Sequence, residues 1–245
     1  MTGVWIAVGI AFFALALVAL RGLHPDRFLV TRRWVQDHVW NWIYDRLAPV
    51  YDVVVEELTL HTTHRFRLRA LPHLPSEGAR ILEVGVGGGR LHTELADSYA
   101  MAGIDRAMGM VRLTRRRLEE AEQRSGLCVA DVTALPWASD TFDAVVSTFV
   151  LSAVPDLERA MDEMVRVVRA EGGRVIVVDA GEASDGNWVA HLLAQTWRAL
   201  GDYIRDERPL MTERRLDVQR EEFGPCNCVH VTVGTRSGDE SPPTP

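Results

Sequence analysis

The stretch ILEVGVGGGR, residues 81–90, decides how this chain folds. Ile81, Leu82 and Val84 have the continuous apolar character of a strand buried on both faces. Gly85, Gly87, Gly88 and Gly89 then break that pattern, and Leu91, Leu95 and Ala96 resume it at helical spacing. A strand that turns through glycines into a helix opens a nucleotide-binding β-turn-α unit. Glycine lets the backbone bend sharply and lets a ligand approach without interference from a Cβ. Two details narrow the ligand. The third glycine falls one place earlier than in the dinucleotide fingerprint G-x-G-x-x-G, and Arg90 stands where that fingerprint ends. Glu83 precedes the first glycine by two residues, where a carboxylate repels a pyrophosphate and attracts the ammonium of a methionine moiety.

The alternation continues down the chain. A second strand over 100–104 ends at Asp105, twenty residues after Gly85, the spacing at which an acid meets ribose hydroxyls. Its two oxygens can accept from both hydroxyls. A helix over 110–123 follows, with Arg112, Arg115, Arg116 and Arg117 read as a solvated face because Glu119, Glu120 and Glu122 lie close behind. Further strands are expected over 127–130, 142–147 and 174–179, with a helix over 157–170 ended by Gly172 and Gly173. A helix over 187–203 and an antiparallel pair over 214–221 and 228–233 close the pattern.

Glu83, Gly85, Gly87 and Gly89 resemble motif I, E/D-x-G-x-G-x-G, of the class I S-adenosylmethionine (SAM)-dependent methyltransferases. The run ADVTALPWASDTFD, residues 130–143, resembles that family's D-x-x-x-L-P-[FW]-x-x-x-x-F-D pattern. The segment YDRLAPVYD, residues 44–52, resembles the YDxxAxxYD entry segment of members acting on phospholipid headgroups and quinone precursors. The resemblance spans residues 44–236 and implies an α/β fold, a seven-stranded Rossmann-like sheet, with SAM as cofactor. It implies that Asp131 accepts from the adenine amino group, that Val132 packs or hydrogen-bonds at the ring, and that Tyr51 lids the site. It also assigns Arg106, Met110 and Ser147 to the cofactor. Where many relatives carry histidines this chain has Ser152 and Ala153, so no general base is implied there. His61, His64, His191 and Asp156 remain open as bases.

Composition limits the partners. The net charge is −7, which argues against nucleic acid, and all 27 basic residues are arginine. Cys128, Cys226 and Cys228 are odd in number, and Cys226-Asn227-Cys228 lacks the further ligands that a zinc site needs, so no metal is expected. Residues 3–20, GVWIAVGIAFFALALVAL, are free of charge and span roughly 27 Å as a helix, close to a bilayer core. A cleaved signal peptide competes with this reading but wants a basic n-region, which Met1-Thr2-Gly3 lacks beyond its amine. Arg21, Arg27, Arg32 and Arg33 follow directly, which orients an N-terminal transmembrane helix with its start outside and the body in the cytoplasm. Residues 28–47 read as an amphipathic helix with Trp34, Trp40, Trp42 and Tyr44, suited either to the headgroup layer or to packing on the domain.

The expected organisation is thus an anchor (1–22), a juxtamembrane helix and lid (23–75), a methyltransferase domain (76–236) and a disordered tail (237–245). The resemblance implies methyl transfer from SAM to a lipid or small hydrophobic acceptor at the membrane. A phosphatidylethanolamine-type phospholipid methylated at nitrogen comes first. A quinone or isoprenoid acceptor methylated at carbon or oxygen comes second, and a non-catalytic SAM-binding scaffold third. A headgroup phosphate would call on Arg46, Arg198, Arg205 or Tyr51.

Overall fold

The computed structural model describes residues 41–46, 48 and 62–237. The anchor over 3–20, most of the helix over 28–47, Tyr51, His61 and nearly all of the tail lie outside the described residues. Among the described residues no helix is long and apolar enough to cross a membrane.

Seven strands make one mixed sheet: β1 (Arg80–Val84), β2 (Ala100–Asp105), β3 (Gly126–Val129), β4 (Ala144–Thr148), β5 (Arg174–Ala180), β6 (Leu216–Phe223) and β7 (Val229–Arg236). Their order is β3-β2-β1-β4-β5-β7-β6, with β7 antiparallel to both its neighbours and every other pair parallel. This is the Rossmann-like sheet of the methyltransferase fold. Among the described residues the α-helices are α1 (Asn41–Arg46), α2 (Thr62–Arg67), α3 (Arg90–Leu95), α4 (Met108–Glu120), α5 (Leu157–Val167), α6 (Trp188–Leu200) and α7 (Arg208–Glu213).

The central strands read as unbroken apolar runs because both of their faces are covered. Leu82, Val84, Val145, Val175 and Val177 pack with Met161 and Met164 of α5. The alternate residues Ile81, Val146, Ile176 and Val178 pack with Leu91 and Leu95 of α3 and Ala190 of α6. The chain leaves β1 towards β2 on one side, while β4 lies on the other. Such a switch point opens a crevice at the carboxyl ends of the strands. Ser147 stands there, in register with Val84.

Several expected boundaries move, each for a local reason. The helix expected to run to residue 170 stops at Val167, because Val168 turns extended and bridges Phe142. The same bridge takes Phe142 out of β4, which begins at Ala144. Asp156 caps α5 by accepting from the Arg159 amide at 3.0 Å. Gly201, at φ 113°, ends α6 three residues before the expected end. The closing hairpin lies further along the chain than expected: its first strand keeps its length but moves to 216–223, and its second runs on to 236, with pairing from Phe223↔Val229 to Leu216↔Arg236. Pro72 sits inside a 3-10 stretch, Leu68–His73.

Candidate cofactor and acceptor site

The glycine turn is built by its backbone. Gly85, Gly87 and Gly89 have φ of 72°, 51° and 80°, a region that side chains disfavour. At Gly85 a Cβ would also lie 2.3 Å from Val150, and at Gly89 2.7 Å from Thr114. At Gly87 it would meet nothing within 4 Å, so the chain is open on that side to a ligand. Thr114 donates to the Gly87 carbonyl at 2.9 Å, and Arg117 donates to Gly88. Arg117 therefore departs from the solvated face expected of it, while Arg112, Arg115 and Arg116 are exposed.

Asp105 ends β2 beside this turn. Its Oδ2 accepts from the Gly87 amide and its Oδ1 from the Ala107 amide, both at 2.9 Å. Burial pushes its carboxyl above the ordinary 3.8, the amides of Ala107 and Gly87 oppose that, and the charges of Glu83 and Asp45 push it further. A crevice in which neighbouring carboxylate charges disfavour the ionised form of Asp105 suits a positively charged ligand. Glu83 is buried, with its Oε2 2.9 Å from His92 Nδ1. Ser147 is fully buried, and its hydroxyl oxygen has no hydrogen-bond partner among the described residues. An orphaned hydroxyl at the switch point and an open Gly87 fit a cationic nucleoside such as SAM.

The segment expected to meet adenine is less enclosed. Val132 is buried in the core, whereas Asp131 is exposed, its Oδ1 accepting from the Thr133 amide and hydroxyl at 2.9 and 2.8 Å. The L-P-W pattern beside it forms a packed buckle. Arg166 donates to the Trp137 and Leu135 carbonyls and to Glu163, while Trp137 meets Phe142 edge-on at 5.3 Å. Met110 is buried with Ala107 and Ala48, and Arg106 is exposed. The entry segment reaches this edge too: Asp45 of α1 accepts from the Gly109 amide at 3.0 Å. A Cβ on Gly109 would stand 2.2 Å from the Asp45 carbonyl, so glycine permits this helix crossing.

A model of the methyltransferase domain matches residues 82–177. The ubiquinone/menaquinone biosynthesis C-methyltransferase UbiE of Syntrophotalea carbinolica is 33% identical over 166 residues, 66% of this chain and 68% of that protein. This chain belongs to the SAM-dependent methyltransferases. The phosphatidylethanolamine N-methyltransferase of Cereibacter sphaeroides is 38% identical over 115 residues, 46% of this chain and 56% of that protein. Among solved structures, the phosphoethanolamine N-methyltransferase 2 of Haemonchus contortus, in complex with SAM, has the same fold. Its TM-score is 0.58 at 13% identity over 70% of this chain and 52% of that one.

The arginines that the sequence singled out for an acceptor have different surroundings. Arg46 is exposed on α1. Arg198 pairs with Glu182 and donates to the Ile204 carbonyl at 3.1 Å. Arg205 donates to the carbonyls of Pro155 at 3.0 Å, Leu151 at 3.2 Å and Val154. Among the base candidates, His64 lies 3.5 Å from Glu94, His191 lines an open cleft with Trp188 and Asn187, and Asp156 is the cap of α5.

One cluster has no counterpart in the motifs. β7 is antiparallel, so its second residue, His230, comes to the carboxyl edge of the parallel strands and pairs in register with Asp179. His230 Nε2 lies 2.9 Å from Glu207 Oε1, with Arg220 Nη1 3.7 Å from the same oxygen. Asp179 accepts from the Ser152 and Ala180 amides at 3.0 and 2.8 Å. Burial pushes the Asp179 carboxyl up, against the Ser152 amide and the charge of His230. Burial also acts upward on Glu207, but its contacts with His230, Thr232 and Arg220 outweigh it and hold the group below the usual range.

Proposed function

We propose that this methyltransferase acts at a membrane surface on a hydrophobic acceptor, a quinone-type ring methylated at carbon. The employment of Arg198 and Arg205 carries this reading. Their donors go to Glu182 and to the carbonyls of Ile204, Leu151, Val154 and Pro155. A headgroup phosphate calls for such donors, and a ring does not. Relatives named for ubiquinone/menaquinone C-methylation and for demethylmenaquinone support the same class. The uncharged run over 3–20 and the arginines behind it support action where such an acceptor dissolves.

When bound, SAM supplies an electrophilic methyl group on a sulfonium. The chain aligns that group with the acceptor in a water-poor crevice. A phenolic ring becomes nucleophilic at carbon when its hydroxyl loses a proton, and the substituted carbon later loses its own. His230, 2.9 Å from Glu207 at the edge that also carries Ser147 and Asp179, is the base this reading would use, and neither of its ring nitrogens makes an aligned hydrogen bond among the described residues.

A second reading, N-methylation of a phosphatidylethanolamine-type headgroup, is favoured by the relative of that name and by exposed Arg46. The test incubates full-length enzyme and methyl-labelled SAM with vesicles carrying either a demethylated hydroquinone or phosphatidylethanolamine. Label on the ring carbon supports the first reading. Label on the headgroup nitrogen replaces it with the second, and label on neither overturns both.

A further inference from the structure

Behind motif I lies a buried hydrogen-bond chain that neither the motif nor the family pattern assigns. Glu83 of β1 is 2% exposed and His92 of α3 is 0% exposed. His92 Nδ1 lies 2.9 Å from Glu83 Oε2, and Nε2 lies 2.7 Å from Ser125 Oγ, just ahead of β3. The Ser125 hydroxyl donates to the Met101 carbonyl of β2 at 2.8 Å. A seat is kept for the ring: a Cβ on Gly103 would lie 2.8 Å from His92 Cε1.

The protons in this chain can be counted. The single hydroxyl hydrogen of Ser125 goes to Met101, so at Nε2 the oxygen accepts and the ring donates. With Nε2 protonated, a neutral ring turns a bare lone pair at Nδ1 towards Glu83. The 2.9 Å approach then needs one more proton between nitrogen and oxygen, either on the ring or on the carboxyl. A lone carboxylate at this depth is costly, and the shared proton offsets that cost. Oε2 is thereby committed to the ring. Oε1 makes no hydrogen bond among the described residues, and Glu83 is near enough to Asp105 for its charge to push that carboxyl up.

We propose that His92 and Ser125 are positioning residues that hold Glu83 with Oε1 turned to the α-ammonium of SAM. They act through Glu83 and do not touch the cofactor. The inference rests on SAM as cofactor and is independent of the acceptor.

Calorimetry on the full-length chain in detergent tests it, with SAM and with 5′-methylthioadenosine, which shares the nucleoside and sulfur but lacks the amino acid. His92→Leu is expected to weaken SAM about 10- to 100-fold, the range for losing a charge-assisted hydrogen bond, and to leave methylthioadenosine within about threefold. Glu83→Gln should show the same split. Equal losses for both ligands would mean that the ring only fills space, and unchanged SAM affinity would mean that it does nothing for Glu83; either overturns the proposal. Should His92→Leu fail to fold, Ser125→Ala removes the acceptor at Nε2 with little change in packing and is read by the same split. Nitrogen-15 spectra of the wild-type imidazole give an independent outcome. A protonated Nε2 is expected, and an unprotonated one overturns the wiring.

Discussion

Replacing Asp105 with alanine separates the two tasks of that carboxylate. In the structure its oxygens hold the amides of Gly87 and Ala107, each at 2.9 Å. Leaving two partly buried amides without acceptors costs about 1–3 kcal/mol each. Against this, the substitution removes a carboxyl already disfavoured by burial and by the charges of Glu83 and Asp45. The net loss is therefore expected near the low end, about 2 kcal/mol, or roughly 4–8 °C in melting temperature for a domain of this size. SAM loses the acceptor for its ribose hydroxyls, worth roughly 10- to 100-fold in affinity. Calorimetry with SAM and with NAD, beside a thermal melt, reads all three quantities. A folded variant binding SAM within about threefold of wild type would refute the role of Asp105, and tight NAD binding without SAM binding would refute the choice of cofactor.

Because the Asp105 carboxyl is raised above 3.8 in the folded chain, its contribution to stability is present at low pH and is lost as pH rises through the raised value. A bound cation favours the ionised form. SAM affinity should therefore fall by up to about tenfold per unit as pH drops below that value, a slope that calorimetry would find missing in Asp105→Ala. His230→Leu leaves the buried Glu207 without its imidazole and should destabilise the fold by about 3–5 kcal/mol in urea titrations. A loss below about 1 kcal/mol would show that the pair is not coupled as its distance suggests. Arg205→Ala should lower stability by freeing the loop after β4, and it should slow quinone and phospholipid turnover alike; a loss confined to phospholipid would restore it as a phosphate ligand. Deleting residues 1–22 should release much of the chain from membranes in a flotation assay, with residual binding from the tryptophan-rich segment. Unchanged flotation would rule out the anchor.

The sheet was legible because its signals are local. Buried parallel strands appear as RILEV, AVVST and RVIVVDA, and the turn after the first of them carries glycine where φ is positive, at Gly85 and Gly89. Asp105 could be placed because a βαβ unit fixes how far one strand end lies from the next. Boundaries slipped where distant residues intervene, as when Phe142 draws Val168 out of α5.

Side-chain partnership, by contrast, belongs to the tertiary structure. Arg205 looks in the sequence like a cation for a phosphate, and only the path of the loop after β4 brings three carbonyls to it. His230 meets Glu207 and Asp179 because β7 runs antiparallel and pairs in one register, a choice that no residue near His230 records. Glu83 was singled out for its place before Gly85, yet its partners His92 and Ser125 come from a helix and from the approach to another strand. The sequence by itself determined strand, turn and helix, since backbone preference and apolar periodicity act over a few residues. Which polar groups become paired was decided by the sheet, because a hydrogen bond or ion pair depends on angstroms between segments that are far apart along the chain.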